Sequence, residues 1–367
     1  MPLENLQLIW QQTAGDLEKK TTPGSLWHGR KVKVVDGSGL SMPDTEENQR
    51  IYPQSTRQKP GCGFPAMRIV AAFSLATGAV IGLAQGTLHC SERILFKSLW
   101  YLFEAGDVIL ADSGFCSYAD FYILMERGID SVMRIHHRRS VGVEVVKSLG
   151  RGDRLVYWTK MKPSPTWLEK EQWETFPSKL LVREVSVTVD IPGFRTENFV
   201  VATTLLDNKT YTASDLADLY RRRWKAELFL RDIKTTMGMD VLRCKSPEMI
   251  RKELIMYLIA YNLVRALMWR SVNEHDASPD QLSFKGALAT INAWAPLMVG
   301  RRLNAGQWEE LLSILSLVIA LDLNLERPNR IEPRARKRRP KNYQLLNKPR
   351  RLFKEIQHRN RYTAPLS

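Results

Sequence analysis

From Ile69 to Cys90 the chain carries no Lys, Arg, Asp or Glu. A run of that length has to be hidden, either in a lipid bilayer or inside a protein core. Ser74, Thr77, Gly78, Gly82, Gln85, Gly86 and Thr87 interrupt it, and Ala76-Thr77-Gly78 breaks it into two strand-length pieces. The run therefore predicts a buried β-hairpin, with strands at about 67–76 and 79–87, and not a membrane span.

The surroundings supply more strands. Lys31-Val-Lys-Val-Val-Asp36 alternates, turns apolar and meets an Asp-Gly pair, which reads as a strand ending at a turn. Residues 42–66, rich in Pro, Gly, Asn and Gln, read as an extended loop. Asp107-Val-Ile-Leu-Ala-Asp112 is another short apolar strand running into a polar turn. Helices are expected at about 91–105 and 117–127, and a strand at about 130–135. Between Arg138 and Thr203 the texture changes to prolines, tryptophans and alternating runs such as Leu180–Asp190 and Phe199–Thr203, with Ile191-Pro-Gly-Phe194 as the turn between them. That block reads as β-rich. Helices then dominate, at about 213–237, 247–270 and 307–321, with Ser246 and Pro247 opening the second.

Charge narrows the partners. Lys and Arg exceed Asp and Glu by 54 to 39, a net +15. Twelve of the cations lie between Arg327 and Lys354 against one acid, Glu332. Such a balance calls for a polyanion, most often nucleic acid, and makes a small-metabolite enzyme a poor fit. Cys62, Cys90, Cys116 and Cys244 lie far apart, without zinc-ligand spacing or a disulfide framework. The chain thus reads as a reduced, cytoplasmic protein with no signal peptide.

Tyr220, Arg223, Glu227 and Lys234 sit at offsets of about 0, 3, 7 and 14 on the helix at 213–237. At ~100° per residue they fall within a ~60° arc, so all four share one face. A solvated helix face produces such rows too. Asp36 and Asp112, however, each end an apolar strand; if those strands are neighbours, their carboxylates converge at one sheet edge, and a helix across that edge adds Glu227. Three carboxylates without His or Cys suit Mg²⁺ or Mn²⁺. Two such ions ~3.5–4 Å apart serve in-line phosphoryl transfer.

The chain resembles the DDE transposases of bacterial insertion sequences, of the insertion-sequence family four type. The resemblance rests on Val35-Asp36-Gly-Ser-Gly-Leu-Ser-Met-Pro-Asp44 with Asn48-Gln49, on Gln58–Pro65, on Leu110-Ala-Asp112-Ser-Gly-Phe115, and on Tyr220-x2-Arg223-x3-Glu227-x6-Lys234, which matches the family's Y-R-E-K signature at every spacing. Leu242–Met249 and Ser283–Gly286 add to it. It implies an α/β fold with an RNase H-like core at 27–137 and 204–325, interrupted by a β-rich insertion at 138–203. A short helical N-terminal part at 1–26 and a basic tail at 326–367 flank it. It implies Asp36, Asp112 and Glu227 as catalytic residues and metal ligands for Mg²⁺ or Mn²⁺, two ions in all. Tyr220, Arg223 and Lys234 would contact DNA phosphates. The implied activity is metal-dependent cleavage and strand transfer at insertion-sequence ends. The implied partners are transposon ends and target DNA, met as a dimer in the cytoplasm and at the nucleoid.

Two departures stand out. Asp36 follows only thirty-five residues, where family members carry a longer helical DNA-binding region, so the chain reads as shortened. Ser113 stands where many relatives have Arg or Lys. Two rivals follow: a truncated, catalytically idle DNA-binding remnant, and a metal-dependent nuclease without strand transfer. Further candidates have bland alternatives. Trp158, Trp167 and Trp173 either pack or stack a flipped base. His136-His137-Arg138-Arg139 is a backbone-contacting patch or a solvated strand end. Asp44 reads as loop structure, and Glu92 as a neighbour of the site. Arg336, Lys337, Arg338 and Arg339 would add non-specific DNA affinity.

Overall fold

The computed structural model describes residues 1–136, 143–189, 197–275, 277, 279–299, 302–324, 349 and 352. Arg336–Arg339, most of the tail, His137–Arg139 and the turn at Ile191–Phe194 lie outside them.

The uncharged run forms the expected hairpin: β2 (Ala66–Ser74) and β3 (Val80–Thr87) pair antiparallel. With them, β1 (Val32–Ser41), β4 (Val108–Ala111), β5 (Asp130–Arg134), β6 (Glu144–Gly150), β7 (Asp153–Thr159), β8 (Lys179–Val189) and β9 (Glu197–Thr203) build one nine-stranded sheet, in the order β3-β2-β1-β4-β5-β9-β8-β7-β6. The centre, β1-β4-β5, is parallel. Strands β6–β9 of the β-rich block extend the same sheet antiparallel.

Both faces are covered. One packs α6 (Ala213–Arg221), α7 (Trp224–Arg231) and α8 (Pro247–His275) on Val32, Val34, Phe73 and Leu110. The other packs α3 (Glu92–Lys97) and α4 (Tyr118–Glu126) on Val35, Ala72, Ile109 and Ala111. The uninterrupted apolar runs of the sequence follow from this, since a strand buried on both sides has no solvent face. Helices α1 (Leu3–Lys19), α9 (Phe284–Met298) and α10 (Ala305–Leu321) lie against α8, and the short α5 (Lys170–Thr175) falls between β7 and β8 in the chain. No described helix is long and apolar enough to cross a membrane.

Several local expectations change. β1 does not stop at Asp36: Gly37 and Gly39 stay in the ladder, because β2 pairs with β1 as far as Ser41↔Ala66. The extended loop contains α2 (Glu46–Ile51), whose Thr45 hydroxyl accepts from Asn48 N. The helix at 91–105 shrinks to α3 plus a 3₁₀ turn at Trp100–Leu102. The helix at 213–237 divides into α6, α7 and a π-helical turn, Asp232–Thr236.

Candidate active site

Two observations put Asp36 beside Asp112. The last parallel pair of β1 and β4 is Val35↔Ala111, so the next position on each strand is an aspartate. Val34 and Leu110 belong to the core under α6–α8, while Val35 and Ala111 belong to the opposite one. Alternation therefore turns Asp36 and Asp112 toward the helices α6–α8. β4 ends at Ala111 while β1 continues, which leaves a notch in the sheet beyond the pair. The carboxyl ends of parallel strands are where open α/β sheets bind ligands.

Each aspartate is held by its own turn. Asp36 Oδ1 accepts from Gly37 N at 2.8 Å; Asp112 Oδ1 accepts from Gly114 N at 2.6 Å and from the Ser113 hydroxyl at 3.1 Å. Burial pushes the Asp36 carboxyl up to about 6, the Gly37 N–H and Arg223 pull it down, and Glu227 and Asp112 raise it further. Asp36 thus feels both partner carboxylates.

Glu227 projects from α7, whose Ala226, Phe229 and Leu230 anchor it on the sheet. Arg223 Nη2 donates to Glu227 Oε1 at 2.7 Å. As they stand, no three Asp, Glu, His or Cys side chains among the described residues are close enough to hold a metal ion. The three carboxylates share one notch without closing on one another, and the Arg223 guanidinium offsets part of their repulsion.

The rest of the row divides. Lys234 Nζ donates to the Ser38 hydroxyl at 2.6 Å. Tyr220 is only 6% exposed, and its ring packs on Phe199 at 5.1 Å. Burial raises its phenol far above the usual range, with Arg223 opposing. Trp224, 53% exposed beside Arg223, is a surface aromatic that spacing arguments passed over, because it sits between two cations in Arg-Arg-Arg-Trp-Lys.

Of the weaker candidates, Trp158 and Trp173 are core: Trp158 Nε1 donates to Glu184 and its ring meets Phe121, and Trp173 meets Tyr118. Trp167 lies against Trp100 and under Lys97. Asp44 accepts from Gln49. Glu92 rests on the Cα of Gly37, where a Cβ would stand 2.6 Å from its carboxyl carbon. The four cysteines are free.

Two strand-borne carboxylates at the end of a parallel pair, a third on the facing helix and interleaved cations define an acidic site in a basic α/β protein. Residues 27–263 match the family model described as a transposase DDE domain. The chain is 30% identical over 346 residues to the transposase InsG for insertion sequence element IS4 of Escherichia coli strain K12, covering 93% of this chain and 75% of that relative. It is 32% identical over 74 residues to the transposase for insertion sequence element IS421 of Escherichia coli, 20% of each chain. A cryo-EM structure of a piggyBac transposase synaptic complex with hairpin DNA superimposes with a TM-score of 0.41 at 10% identity, over 82% of this chain and 59% of that one. The chain belongs to the DDE transposases, of the insertion-sequence IS4 type.

Proposed function

We propose that this chain cuts and rejoins DNA strands at insertion-sequence ends, with Asp36, Asp112 and Glu227 as its catalytic carboxylates. The observation that carries the reading is the parallel register: Val35↔Ala111 sets two aspartates side by side, on the face where α7 presents Glu227. On this reading, 27–137 and 204–325 form an RNase H-like core, and 138–203 is an insertion that continues its sheet. The segment 1–26 and the basic tail from 326 flank that core.

The donors fit a divalent cation. They are hard carboxylate oxygens without sulfur or imidazole, and the Asp36 carboxyl, raised chiefly by burial, also feels the Glu227 and Asp112 charges that a cation would relieve. Asp36, Asp112 and Glu227 would hold two Mg²⁺ or Mn²⁺ ions, which would supply Lewis-acid stabilisation and an activated oxygen nucleophile. The protein's own part is positional. The Gly37 and Gly114 amides orient the two aspartates. Arg223 keeps Glu227 turned along the notch and offers positive charge to an incoming phosphate. Lys234 and the hydroxyl of Tyr220 complete the row facing the DNA backbone, and Arg336, Lys337, Arg338 and Arg339 add salt-sensitive affinity. DNA is the substrate and partner, taken by a dimer in the cytoplasm.

The test is nicking of a duplex carrying the element's terminal sequence in Mg²⁺. Wild type should cut the strand at the element boundary. Asp112→Asn should bind the same duplex and leave it intact. Cutting by the Asn variant at the wild-type rate removes Asp112 from the assignment.

A further inference from the structure

Asp36 and Glu227 come from distant parts of the chain, and a helix lying on a sheet shares no hydrogen-bond ladder with it. Their spacing therefore needs other ties. Three lie just past the two carboxylates. Lys234, inside the π-helical turn, donates to Ser38 at 2.6 Å. Ser41 N donates to Asp240 O at 3.1 Å, and Leu242 N donates to Ser41 O at 2.9 Å, so the segment after the turn runs parallel to the end of β1. Strand β1 is thus stitched, from two to five residues beyond Asp36, to the chain that leaves α7.

The π turn matters to this stitching. Met237 N reaches back five residues to Asp232 O at 3.0 Å, which inserts an extra residue into the winding and changes the direction in which Lys234 leaves the helix. Ser38 is two residues on from Asp36, so its side chain leaves β1 on the same face, roughly 7 Å along the strand. Beyond Ala111 no β4 residue pairs with that stretch of β1, and the Lys234 ammonium reaches the strand there.

We propose that Ser38 is a positioning residue for strand cleavage: its hydroxyl holds the Lys234 ammonium at the mouth of the notch, and with the π turn it keeps α7 registered against β1. The inference rests on the proposed function, in which Lys234 meets a DNA phosphate. A serine that merely packs on a lysine stem would leave binding and cleavage unchanged when its hydroxyl is lost.

The full chain carries the test, as Ser38→Ala, Ser38→Thr and Lys234→Met, with the Ser38→Ala/Lys234→Met double variant. Two quantities are read on an insertion-end duplex: the single-turnover nicking rate in Mg²⁺, and the slope of log affinity against log salt without metal. Ser38→Ala should slow nicking about tenfold, the cost of one hydrogen bond to a charged group. It should also lower the salt slope toward that of Lys234→Met, which loses about 0.9 with one phosphate contact. Ser38→Thr, which keeps the hydroxyl, should stay near wild type. In the double variant the serine change should cost nothing beyond Lys234→Met, because the two act as one unit. Additive losses, or a wild-type rate and slope in Ser38→Ala, overturn the proposal. If Ser38→Ala does not fold, Ser38→Cys, which keeps the size but not the strong hydroxyl acceptor, takes its place: a wild-type rate and slope overturn the proposal, and a shift of both toward Lys234→Met supports it. A wild-type chain that binds but never nicks counts against the catalytic reading, while the salt slopes still decide the role of Ser38.

Discussion

Burial moves two ionisable side chains in this protein in opposite senses. The Asp36 carboxyl rises to about 6, and the Lys97 ammonium falls to about 7. Lys97 is desolvated on α3, its ammonium over the Trp167 ring. The Asp120 carboxylate facing it pulls the value up and Arg93 pulls it down, but burial outweighs both. Its Nζ, Arg93 Nε, Trp100 Nε1 and Asp120 Oδ1 are all buried without a hydrogen-bond partner. Between pH 7 and about 10.5 the unfolded chain therefore holds a proton on this lysine that the folded chain has released, so stability from this group rises with pH across that window. Below pH 7 the full cost of burying the charge is paid. Lys97→Met keeps the stem and removes the charge. Its melting temperature relative to wild type should be most favourable near pH 7, and the difference should shrink toward pH 10. A difference independent of pH would mean that Lys97 is ordinarily solvated.

Among the elements, β7 and β8 of the β-rich block are joined by a buried ion pair whose arginine also reaches out of the block to the Tyr211 carbonyl. Arg183 on β8 is fully buried; its Nε and Nη2 donate to Asp153 at 2.8 and 2.7 Å, and its Nη1 donates to the Tyr211 carbonyl at 2.6 Å. Removing one partner strands the other charge in the core. Arg183→Met should lower unfolding free energy by about 3–5 kcal/mol in urea titration. Adding Asp153→Leu should recover only part, since the Tyr211 carbonyl stays unpaired. Full loss with no recovery would show that packing, and not the ion pair, dominates. The elements differed in how readable they were. The hairpin, β4 and β8 announced themselves through charge-free or alternating runs bounded by turn residues. β1 looked shorter than it is, because Asp-Gly is a turn signal and only pairing with β2 keeps those glycines extended. α2 hid in a polar stretch where its cap, Thr45, was the one cue. The division of the helix at 213–237 was invisible, because nothing in Arg221-Arg222-Arg223 breaks a helix. Even so, the Y-R-E-K spacing brought Arg223 and Glu227 into contact and left Lys234 at the notch. Ser38 and Trp224 were missed: one needed the register of β1, the other its exposure.

At the scale of the whole molecule, one sheet with helices on both faces turns three distant carboxylates toward a single notch, in a chain whose net charge is +15. The clustered acids are tolerated there because Arg223 pairs with Glu227, while Lys234 reaches β1 at Ser38. On the proposed function, polyanion binding and phosphodiester chemistry fall to different residues, and that division can be measured. Glu227→Gln preserves size and helix propensity while removing the charge. A glutamate that merely pairs with a helix neighbour contributes only about 0.3–0.5 kcal/mol, and its loss would not touch cleavage. The most direct test is nicking of an insertion-end duplex in Mg²⁺ by wild type and Glu227→Gln, with duplex affinity measured on the same preparations. The account predicts that wild type nicks and the Gln variant does not, at affinity equal to wild type or higher. Nicking by the Gln variant at the wild-type rate would contradict it.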